Sequence, residues 1–194
     1  MQGTSIVILN YNTLEHTKNC IASIRQHTSA GSDEPVVIDN GSTDGSVQWL
    51  KAQRGLRCIF NKTNLGFPKG CNQGLQIAKG TELLLLNSDT VVTPRWLQQL
   101  RGALYSAPDT GAVGCVTNHS SERQQIAISY TDYAGMVAFA EKYNQADAEK
   151  WEPVLKLVGF CLLIRREVYQ KLGGLDERFS PGNYEDDDYC LRIW

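Results

Sequence analysis

The chain has 194 residues, of which 42% are hydrophobic and 21% are charged, and its formal net charge is −2. This length suits one domain with a sizeable core. So small a net charge gives no electrostatic reason to expect nucleic acid or an anionic membrane as the main partner. The longest apolar run, LVGFCLLI at 157–164, is far shorter than the ~20 residues of a membrane-spanning helix, which excludes a transmembrane segment.

The N-terminus and the cysteines indicate the compartment. Met1 leads almost directly into an apolar run, without the basic region, signal-length apolar segment and small-residue cleavage site of a secreted protein. The six cysteines include no C-x-x-C pair, which predicts buried reduced thiols rather than disulfides or a zinc site. We expect a cytoplasmic protein, and peripheral association with the inner face of the membrane is compatible with this.

Four apolar runs alternate with helix-like segments in the first half of the chain. The runs are SIVIL (5–9), PVVID (35–39), LRCIF (56–60) and ELLLL (82–86), each typical of a strand buried on both faces. Helices of two to four turns fit the segments between them, 13–28, 44–53 and 66–80. This order predicts an α/β fold with a doubly wound, mostly parallel sheet, helices on both faces, and ligands at the carboxyl ends of the strands.

The second half of the chain has a weaker pattern. A helix at 94–104 with proline in its first turn and a strand at 110–118 continue the alternation. Residues 119–153 are polar and mixed, and we interpret them as a variable insertion that is partly helical around 133–143. A strand at 154–166 then leads into a short helix, which the glycines at 173–174 should end.

A strongly apolar strand leads without a break into Asn87, Ser88 and Asp89. A carboxylate beside four leucines is costly to desolvate unless it is paired or bound to a cation, so Asp89 is a candidate functional residue, with a turn or cap acid as the alternative. Residues two apart on an extended strand point the same way, so Asn87 and Asp89 are expected to face one hard cation. Two oxygen ligands plus a substrate phosphate suit Mg²⁺ or Mn²⁺.

The other strand ends also have polar or aromatic residues. The second strand ends in Asp39, and because Ser42 or Asp44 can cap the following helix, Asp39 remains free to accept hydrogen bonds from a base or a sugar. Tyr11 follows the first strand and could pack against a planar ligand, although a lone aromatic there is more often part of the core or of a lid.

Four consecutive acids, Glu185 to Asp188, lie near the end of the chain. Such a run is commonly a solvated helix start, where carboxylates meet the positive end of the helix dipole. Neighbouring helical residues diverge by ~100°, so these acids cannot all bind one metal. Crowded like charges are instead expected to raise at least one pKa, which would make that acid a candidate general base.

Five segments, in order, resemble the inverting glycosyltransferases of family two, which have the GT-A fold. They are SIVILNYN (5–12), VVIDNGSTDGS (36–46), NLGFPKGCNQGL (64–75), LLLLNSDTVVTPRWL (83–97) and EDDDYCLR (185–192). The likeness covers nearly the whole chain, with 119–153 the least constrained. It implies one catalytic domain, 1–194, in which 1–118 binds the nucleotide sugar, 119–194 forms the acceptor side, and the natural chain is expected to continue past Trp194.

The resemblance also implies roles for individual residues. Asp186 aligns with the catalytic base, whereas Asp187 falls at a variable position of that motif. Asp89 matches the second acid of an Asp-x-Asp motif that holds a divalent cation, and Asn87 departs from it by replacing the first acid with a neutral oxygen donor, which puts tight metal binding in doubt more than activity. Glycines would let backbone approach the nucleotide. The implied donor-binding residues are Asn10, Tyr11, Asp39, Asn64, Gly66, Lys69, Gly70, Asn72, Asn87, Ser88 and Asp89.

The implied reaction is transfer of a sugar, with inversion, from a UDP- or dTDP-sugar to a carbohydrate or lipid-linked acceptor. Bacterial relatives of this kind suggest hexosyl or rhamnosyl transfer in cell-surface polysaccharide synthesis. A sugar-nucleotide pyrophosphorylase is an alternative, but it would need a glycine- and arginine-rich loop after the first strand, where the chain has NYNTLEH (10–16). A nicotinamide dehydrogenase would need G-x-G-x-x-G there. A catalytically inactive sugar-nucleotide-binding or scaffold protein is favoured if Asn87 abolishes metal use.

Overall fold

The computed structural model describes residues 3–29, 31, 33–120 and 123–194. Within these ranges six strands form one sheet and seven α-helices pack around it. The strands are β1 (Thr4–Asn10), β2 (Glu34–Asp39), β3 (Arg57–Phe60), β4 (Glu82–Asn87), β5 (Ala112–Gly114) and β6 (Cys161–Arg165). The helices are α1 (Leu14–His27), α2 (Ser46–Ala52), α3 (Phe67–Ile77), α4 (Trp96–Leu104), α5 (Tyr133–Tyr143), α6 (Arg166–Leu172) and α7 (Glu185–Ile193).

The sheet has the order β3-β2-β1-β4-β6-β5. Strands β1 to β4 run parallel to one another, whereas β6 runs antiparallel to both β4 and β5. The predicted α/β class with a mostly parallel sheet is therefore confirmed. The parallel strands place their carboxyl ends at one edge, where the sequence predicts ligands.

Alternate residues of the strands enter two separate cores, one on each face of the sheet. Ile6 and Ile8 of β1 pack in the cluster that contains Ile21 of α1 and Leu100 of α4. Val7 between them belongs to the cluster on the other face, with residues of α3 and α7. This period of two is the geometry of a strand, and the two clusters confirm that helices cover both faces.

Two predicted elements have different bounds. The strand predicted at 154–166 begins only at Cys161, because the N–H groups of Val158 and Gly159 bond to side chains instead of to a neighbouring strand. The N–H of Val158 donates to Gln124 Oε1 at 2.7 Å, and the N–H of Gly159 donates to Asp186 Oδ2 at 2.7 Å. The strand predicted at 110–118 is likewise shortened to the three residues of β5.

Other predictions for single elements have mixed outcomes. Helix α5 confirms the predicted helix within the 119–153 insertion, and Gly173, with φ +79°, ends α6 as predicted. Strand β3 is not buried on both faces, because it is an edge strand with a sheet neighbour on one side only, and Phe60 is 37% exposed.

The six cysteines are free thiols as predicted, but only four of them are buried and two are half-buried. In the part of the chain that the structure describes, no helix is both long enough and apolar enough to cross a bilayer.

Close packing of α3 on the sheet predicts one stability effect. An added Cβ at Gly74 would overlap Val7 Cγ1 and lie 2.5 Å from Ile38 Cδ1, both in the buried core. We expect Gly74→Ala to lower the free energy of unfolding in urea by about 1–3 kcal/mol, since overpacking forces neighbouring side chains apart. The matched control is Gly102→Ala in α4, where the nearest atom is 3.8 Å away. It should raise stability by about 0.5–1 kcal/mol, and equal effects of the two changes would contradict the packing argument.

Candidate active site

Three neighbouring strands end together at one edge of the sheet. In the β1–β2 register Asn10 pairs with Asp39, and in the β1–β4 register Leu9 pairs with Asn87. The residues that follow these strands therefore lie side by side.

Asp39 is fully buried and holds the loop after β2. Its Oδ2 accepts from Asn10 Nδ2 at 2.6 Å, and its Oδ1 accepts from the backbone N–H of Ser42 at 3.0 Å. The Oδ1 of Asn10 in turn accepts from the hydroxyls of Thr13 and Thr17 at 2.9 and 2.7 Å. Asn10 thus lies at the predicted site, where its hydrogen bond orients the carboxylate of Asp39. Each carboxylate oxygen of Asp39 has two lone-pair sites and retains acceptor capacity.

Tyr11, directly after β1, is 44% exposed. Among the described residues its hydroxyl has no hydrogen-bond partner. It is therefore neither a core residue nor fixed to the fold by its hydroxyl, so its ring can contact a ligand.

Asn40 is a site residue that the sequence did not single out. It is buried, its Nδ2 donates to Asn64 Oδ1 at 2.7 Å and to the carbonyl of Gly66 at 3.2 Å, and its Oδ1 accepts from the N–H of Leu65 at 3.1 Å. Asn40 thereby fixes the loop before α3 to the end of β2. Its position immediately after a strand-end acid is the signal that could have identified it.

Two glycines of the 64–75 segment lie against other parts of the protein. A Cβ at Gly66, which has φ +84°, would overlap the Ser180 hydroxyl, and a Cβ at Gly70 would overlap Leu9 of β1. That these glycines let backbone approach a nucleotide stays a prediction, and within the domain they have a packing role. They let α3 pack against β1 and against the loop before α7.

Lys69 and Asn72 of α3 have different environments. Lys69 is exposed, and within the described ranges its ammonium group has no partner. Asn72 is buried and binds the backbone of Leu175 twice, donating from Nδ2 to the carbonyl at 2.8 Å and accepting at Oδ1 from the N–H at 2.8 Å. Lys69 is free to bind a ligand, whereas Asn72 fastens α3 to the segment after α6.

The residues after β4 differ from the expected extended geometry. The strand ends at Asn87, and Ser88 and Asp89 form a turn in which the N–H of Thr90 donates to the Asn87 carbonyl at 3.2 Å. Asp89 is exposed, so the argument from a desolvated carboxylate is wrong, and its direction does not follow from strand alternation. Ser88 is buried, with its Oγ 3.2 Å from Thr13 Oγ1.

The side chains of Asn87 and Asp89 remain available for a ligand. Neither makes a hydrogen bond or ion pair with any residue that the structure describes. In the same described ranges no group of three His, Cys, Asp or Glu side chains could enclose a metal ion. Mg²⁺ commonly binds through one or two carboxylates together with substrate phosphates, and one free carboxylate beside one free carboxamide oxygen fits that pattern.

The acids at the start of α7 have different partners. Asp187 lies 3.4 Å from Lys156 Nζ, and Asp188 pairs with Arg192 Nε at 2.8 Å. Asp186 has no ion-pair partner among the described residues, and its carboxylate accepts from the backbone N–H groups of Gly159 at 2.7 Å and Asp187 at 2.9 Å. It is the acid whose position is fixed by backbone.

Glu185, the first acid of this run, has a raised pKa. Its side chain is buried, and in the described part of the chain its Oε2 has no hydrogen-bond partner. Burial raises the pKa of the Glu185 carboxyl, and the charges of Asp186 and Asp187 act in the same direction. One raised pKa is as predicted, but its main cause is burial rather than crowding.

A two-residue link joins the start of α7 to the end of β4. Gly159 donates its N–H to Asp186, and the carbonyl of the next residue, Phe160, accepts from the N–H of Asn87 at 2.8 Å. Adjacent Cα atoms are about 3.8 Å apart, so these two bonds hold Asp186 close to the strand end that carries Asn87 and Asp89. Sequence patterns could not show this, because the link belongs to the segment that was predicted as a strand.

Residues 5–173 match the family described as Glycosyl transferase family 2. The chain belongs to this family. One relative, the O-antigen biosynthesis protein RfbC of Myxococcus xanthus, is 30% identical over 193 residues, which are 91% of this chain and 15% of that protein. The N-acetylglucosaminyl-diphospho-decaprenol L-rhamnosyltransferase of Mycobacterium tuberculosis is 27% identical over 206 residues, which are 90% of this chain and 65% of that protein. The chain thus spans less than two thirds of the length of either relative.

Solved structures confirm the GT-A fold of this family-2 domain. The mannosyltransferase PcManGT from Pyrobaculum calidifontis, in complex with GDP-Man and Mn²⁺, has a TM-score of 0.69 and 20% identity, covering 98% of this chain and 51% of that one. S. aureus TarS 1-349 in complex with UDP-GlcNAc has a TM-score of 0.72 and 17% identity, covering 100% and 53%.

A surface cavity of about 360 Å³ lies elsewhere on this glycosyltransferase domain. It contains no residue of the predicted site, and it is a shallow space beside α1 rather than an enclosed pocket at the strand ends. The lining residues are Asn19, Ala22, Ser23, Gln26, Val91 and Tyr133. The chemistry of the strand ends, not cavity size, identifies the candidate active site.

Proposed function

We propose that this domain transfers a sugar from a nucleoside diphosphate donor to an acceptor hydroxyl, with inversion at the anomeric carbon. One observation carries the proposal: the link through Gly159 and Phe160 connects the carboxylate of Asp186 to the end of β4, where the side chains of Asn87 and Asp89 have free oxygens. Such a pair of sites can accept a proton on one side of a reacting sugar and bind a leaving diphosphate on the other.

The donor nucleoside is proposed to lie over the ends of β1 and β2. The exposed ring of Tyr11 can pack against the base, and the remaining lone pairs of Asp39 can accept from the nucleoside. The free ammonium group of Lys69 suits the diphosphate. Asn10, Asn64, Gly66, Gly70, Asn72 and Ser88 act in this proposal by fixing the loops around the donor.

The diphosphate is proposed to bind at the turn after β4. Asp89 and Asn87 would hold Mg²⁺ or Mn²⁺ there, and the cation would neutralise charge that develops on the leaving phosphate. The complexes of PcManGT with GDP-Man and Mn²⁺ and of TarS with UDP-GlcNAc support a nucleotide-sugar donor and a divalent cation on this fold. The donor is proposed to be a UDP- or dTDP-sugar.

Asp186 is proposed to remove the proton from the attacking acceptor hydroxyl. Its carboxylate is oriented by two backbone N–H groups, whereas the neighbouring Asp187 and Asp188 form ion pairs with lysine and arginine side chains. The hydroxyl oxygen forms the new bond to the anomeric carbon while the bond to the diphosphate oxygen breaks on the opposite face. A single displacement of this kind inverts the configuration and needs no covalent intermediate.

The acceptor is proposed to be a carbohydrate or a lipid-linked sugar. The O-antigen protein and the rhamnosyltransferase among the relatives support hexosyl or rhamnosyl transfer in cell-surface polysaccharide synthesis. In this proposal 1–118 binds the donor and 119–194 forms the acceptor side. The cytoplasmic side of the membrane, with peripheral association, is the proposed location.

Calorimetry followed by a hydrolysis assay tests the proposed function. UDP, dTDP and GDP are titrated with and without Mn²⁺, and the matching sugar nucleotides are then incubated with the domain. Release of free sugar and nucleoside diphosphate in the presence of Mn²⁺ is the expected result. Binding without hydrolysis or transfer would favour the sugar-nucleotide-binding alternative, to which Asn87 points, and pyrophosphate release from a nucleoside triphosphate and a sugar phosphate would favour a pyrophosphorylase.

A further inference from the structure

The residue immediately before the acids of α7 is an aromatic in a strained backbone conformation. Tyr184 has φ +72° and ψ −5°, and the two residues before it, Gly182 and Asn183, have φ +151° and +93°. Positive φ is a genuine outlier for a bulky side chain. Such conformations cost about 1–3 kcal/mol each and persist only where the surrounding structure holds them.

Contacts at both ends hold this loop in place. The N–H of Phe67 donates to the carbonyl of Pro181 at 2.7 Å, and Gly66 lies directly against Ser180. At the other end the carbonyl of Tyr184 accepts from the N–H of Asp188 at 3.0 Å. The loop is therefore fixed between the start of α3 and the first turn of α7.

The side chain of Tyr184 contributes little to this arrangement. It is 69% exposed, and it makes no hydrogen bond, ring contact or ion pair with any of the described residues. Glycine would adopt the same backbone with less strain. The chain thus holds an aromatic ring in a costly conformation, with no hydrogen bond, ring contact or ion pair to the described residues to offset the cost, and this points to a contact with a ligand.

The position of Tyr184 identifies that ligand. Two peptide units separate it from Asp186, so the two Cα atoms are at most about 7 Å apart. The loop also touches Gly66, at the start of the proposed donor-binding segment. A ring at this point can reach the sugar whose hydroxyl is presented to Asp186.

We propose that Tyr184 binds the acceptor by packing its ring against the C–H face of a pyranose. This inference rests on the proposed function. A pyranose has an apolar face of C–H groups and hydroxyls at its edge, and tyrosine offers a flat apolar body with a polar tip, so the two surfaces match. The strained backbone keeps the ring of Tyr184 exposed near Asp186, the proposed catalytic base, before the acceptor binds.

The test compares Tyr184→Gly with Tyr184→Phe. Nucleotide release is measured with Mn²⁺ and the donor that the wild type hydrolyses, first without acceptor and then with a panel of p-nitrophenyl hexopyranosides. For Tyr184→Gly we expect unchanged hydrolysis, an acceptor KM raised about tenfold, and a Tm equal to or above that of the wild type, because glycine relieves the strain. Tyr184→Phe retains the ring and should keep the wild-type acceptor KM.

Several outcomes would overturn this inference. They are an unchanged acceptor KM in Tyr184→Gly, a lowered Tm, an equal loss of hydrolysis and transfer, or a wild type that hydrolyses donor but transfers to none of the glycosides. A wild type that neither hydrolyses donor nor transfers sugar contradicts the proposed function itself, and is distinguished by the assay without acceptor.

Discussion

Asp186→Asn is expected to slow sugar transfer by about 10²–10⁴-fold, the usual range for loss of a general base. Asparagine keeps the size of the side chain, and its Oδ1 can still accept from the N–H of Gly159, but it cannot take up the acceptor proton. The measurements are kcat at saturating donor and the donor Kd by calorimetry. The donor Kd should barely change, because the proposed donor contacts lie at the strand ends and not on α7.

Asp187→Asn is the matched control for general disruption of the acidic run. Its carboxylate is half-buried and pairs with Lys156 at 3.4 Å, and such ion pairs near the surface are commonly worth only about 0–1 kcal/mol. Most activity should therefore remain. If both variants lose transfer equally, or if Asp186→Asn transfers sugar normally, the acids are only the charged start of a helix.

The sheet could be predicted because each parallel strand is an apolar run of its own. A strand that is buried on both faces must be apolar along its whole length. The helices between such strands form the crossover connections that parallel pairing requires. The predicted strand at 154–166 was too long for a physical reason. An apolar sequence does not show whether the backbone of a residue bonds to a neighbouring strand. The N–H of Gly159 bonds instead to a side chain 27 positions further along the chain.

The strand-end residues of the candidate site could be predicted from their positions, but their environments could not. Asp89 follows four buried leucines and is nevertheless exposed, because the chain turns directly after Asn87. Asn40 looks like an ordinary turn residue, yet it is buried and holds the loop before α3. Both properties depend on tertiary contacts that local sequence does not contain.

The contacts of the glycines also could not be predicted from the sequence. Sequence indicates that Gly66 and Gly70 need space, but not which atoms approach them. The structure places Ser180 at one and Leu9 at the other. Gly66 therefore couples α3 to the loop of Tyr184, a connection between residues more than 110 positions apart that only the folded chain reveals.

Removal of divalent cations is expected to lower turnover by at least about 10²-fold, because a metal ion commonly supplies several kcal/mol of stabilisation to a leaving phosphate. The measurement is donor hydrolysis before and after treatment with EDTA, with activity restored by Mn²⁺. Asp89→Ala should weaken binding of the nucleoside diphosphate more than binding of the bare nucleoside, since the lost contact is to the phosphates. Equal losses for both ligands, or full activity in EDTA, would show that Asp89 does not act through a cation.

Asn87→Asp is expected to have the opposite effect to Asp89→Ala and to strengthen binding of the divalent cation. The Asn87 side chain is free of hydrogen bonds to the described residues, so a second carboxylate can be introduced beside Asp89 without breaking a contact of the fold. Two anionic ligands attract a divalent cation more strongly than one, so the Mn²⁺ concentration for half-maximal hydrolysis should fall. Ser88→Ala is the control, because Ser88 lies between Asn87 and Asp89 but its side chain is buried against Thr13. It should leave the Mn²⁺ concentration for half-maximal hydrolysis unchanged. An unchanged or raised Mn²⁺ requirement of Asn87→Asp would contradict a role of residue 87 as a ligand of the cation.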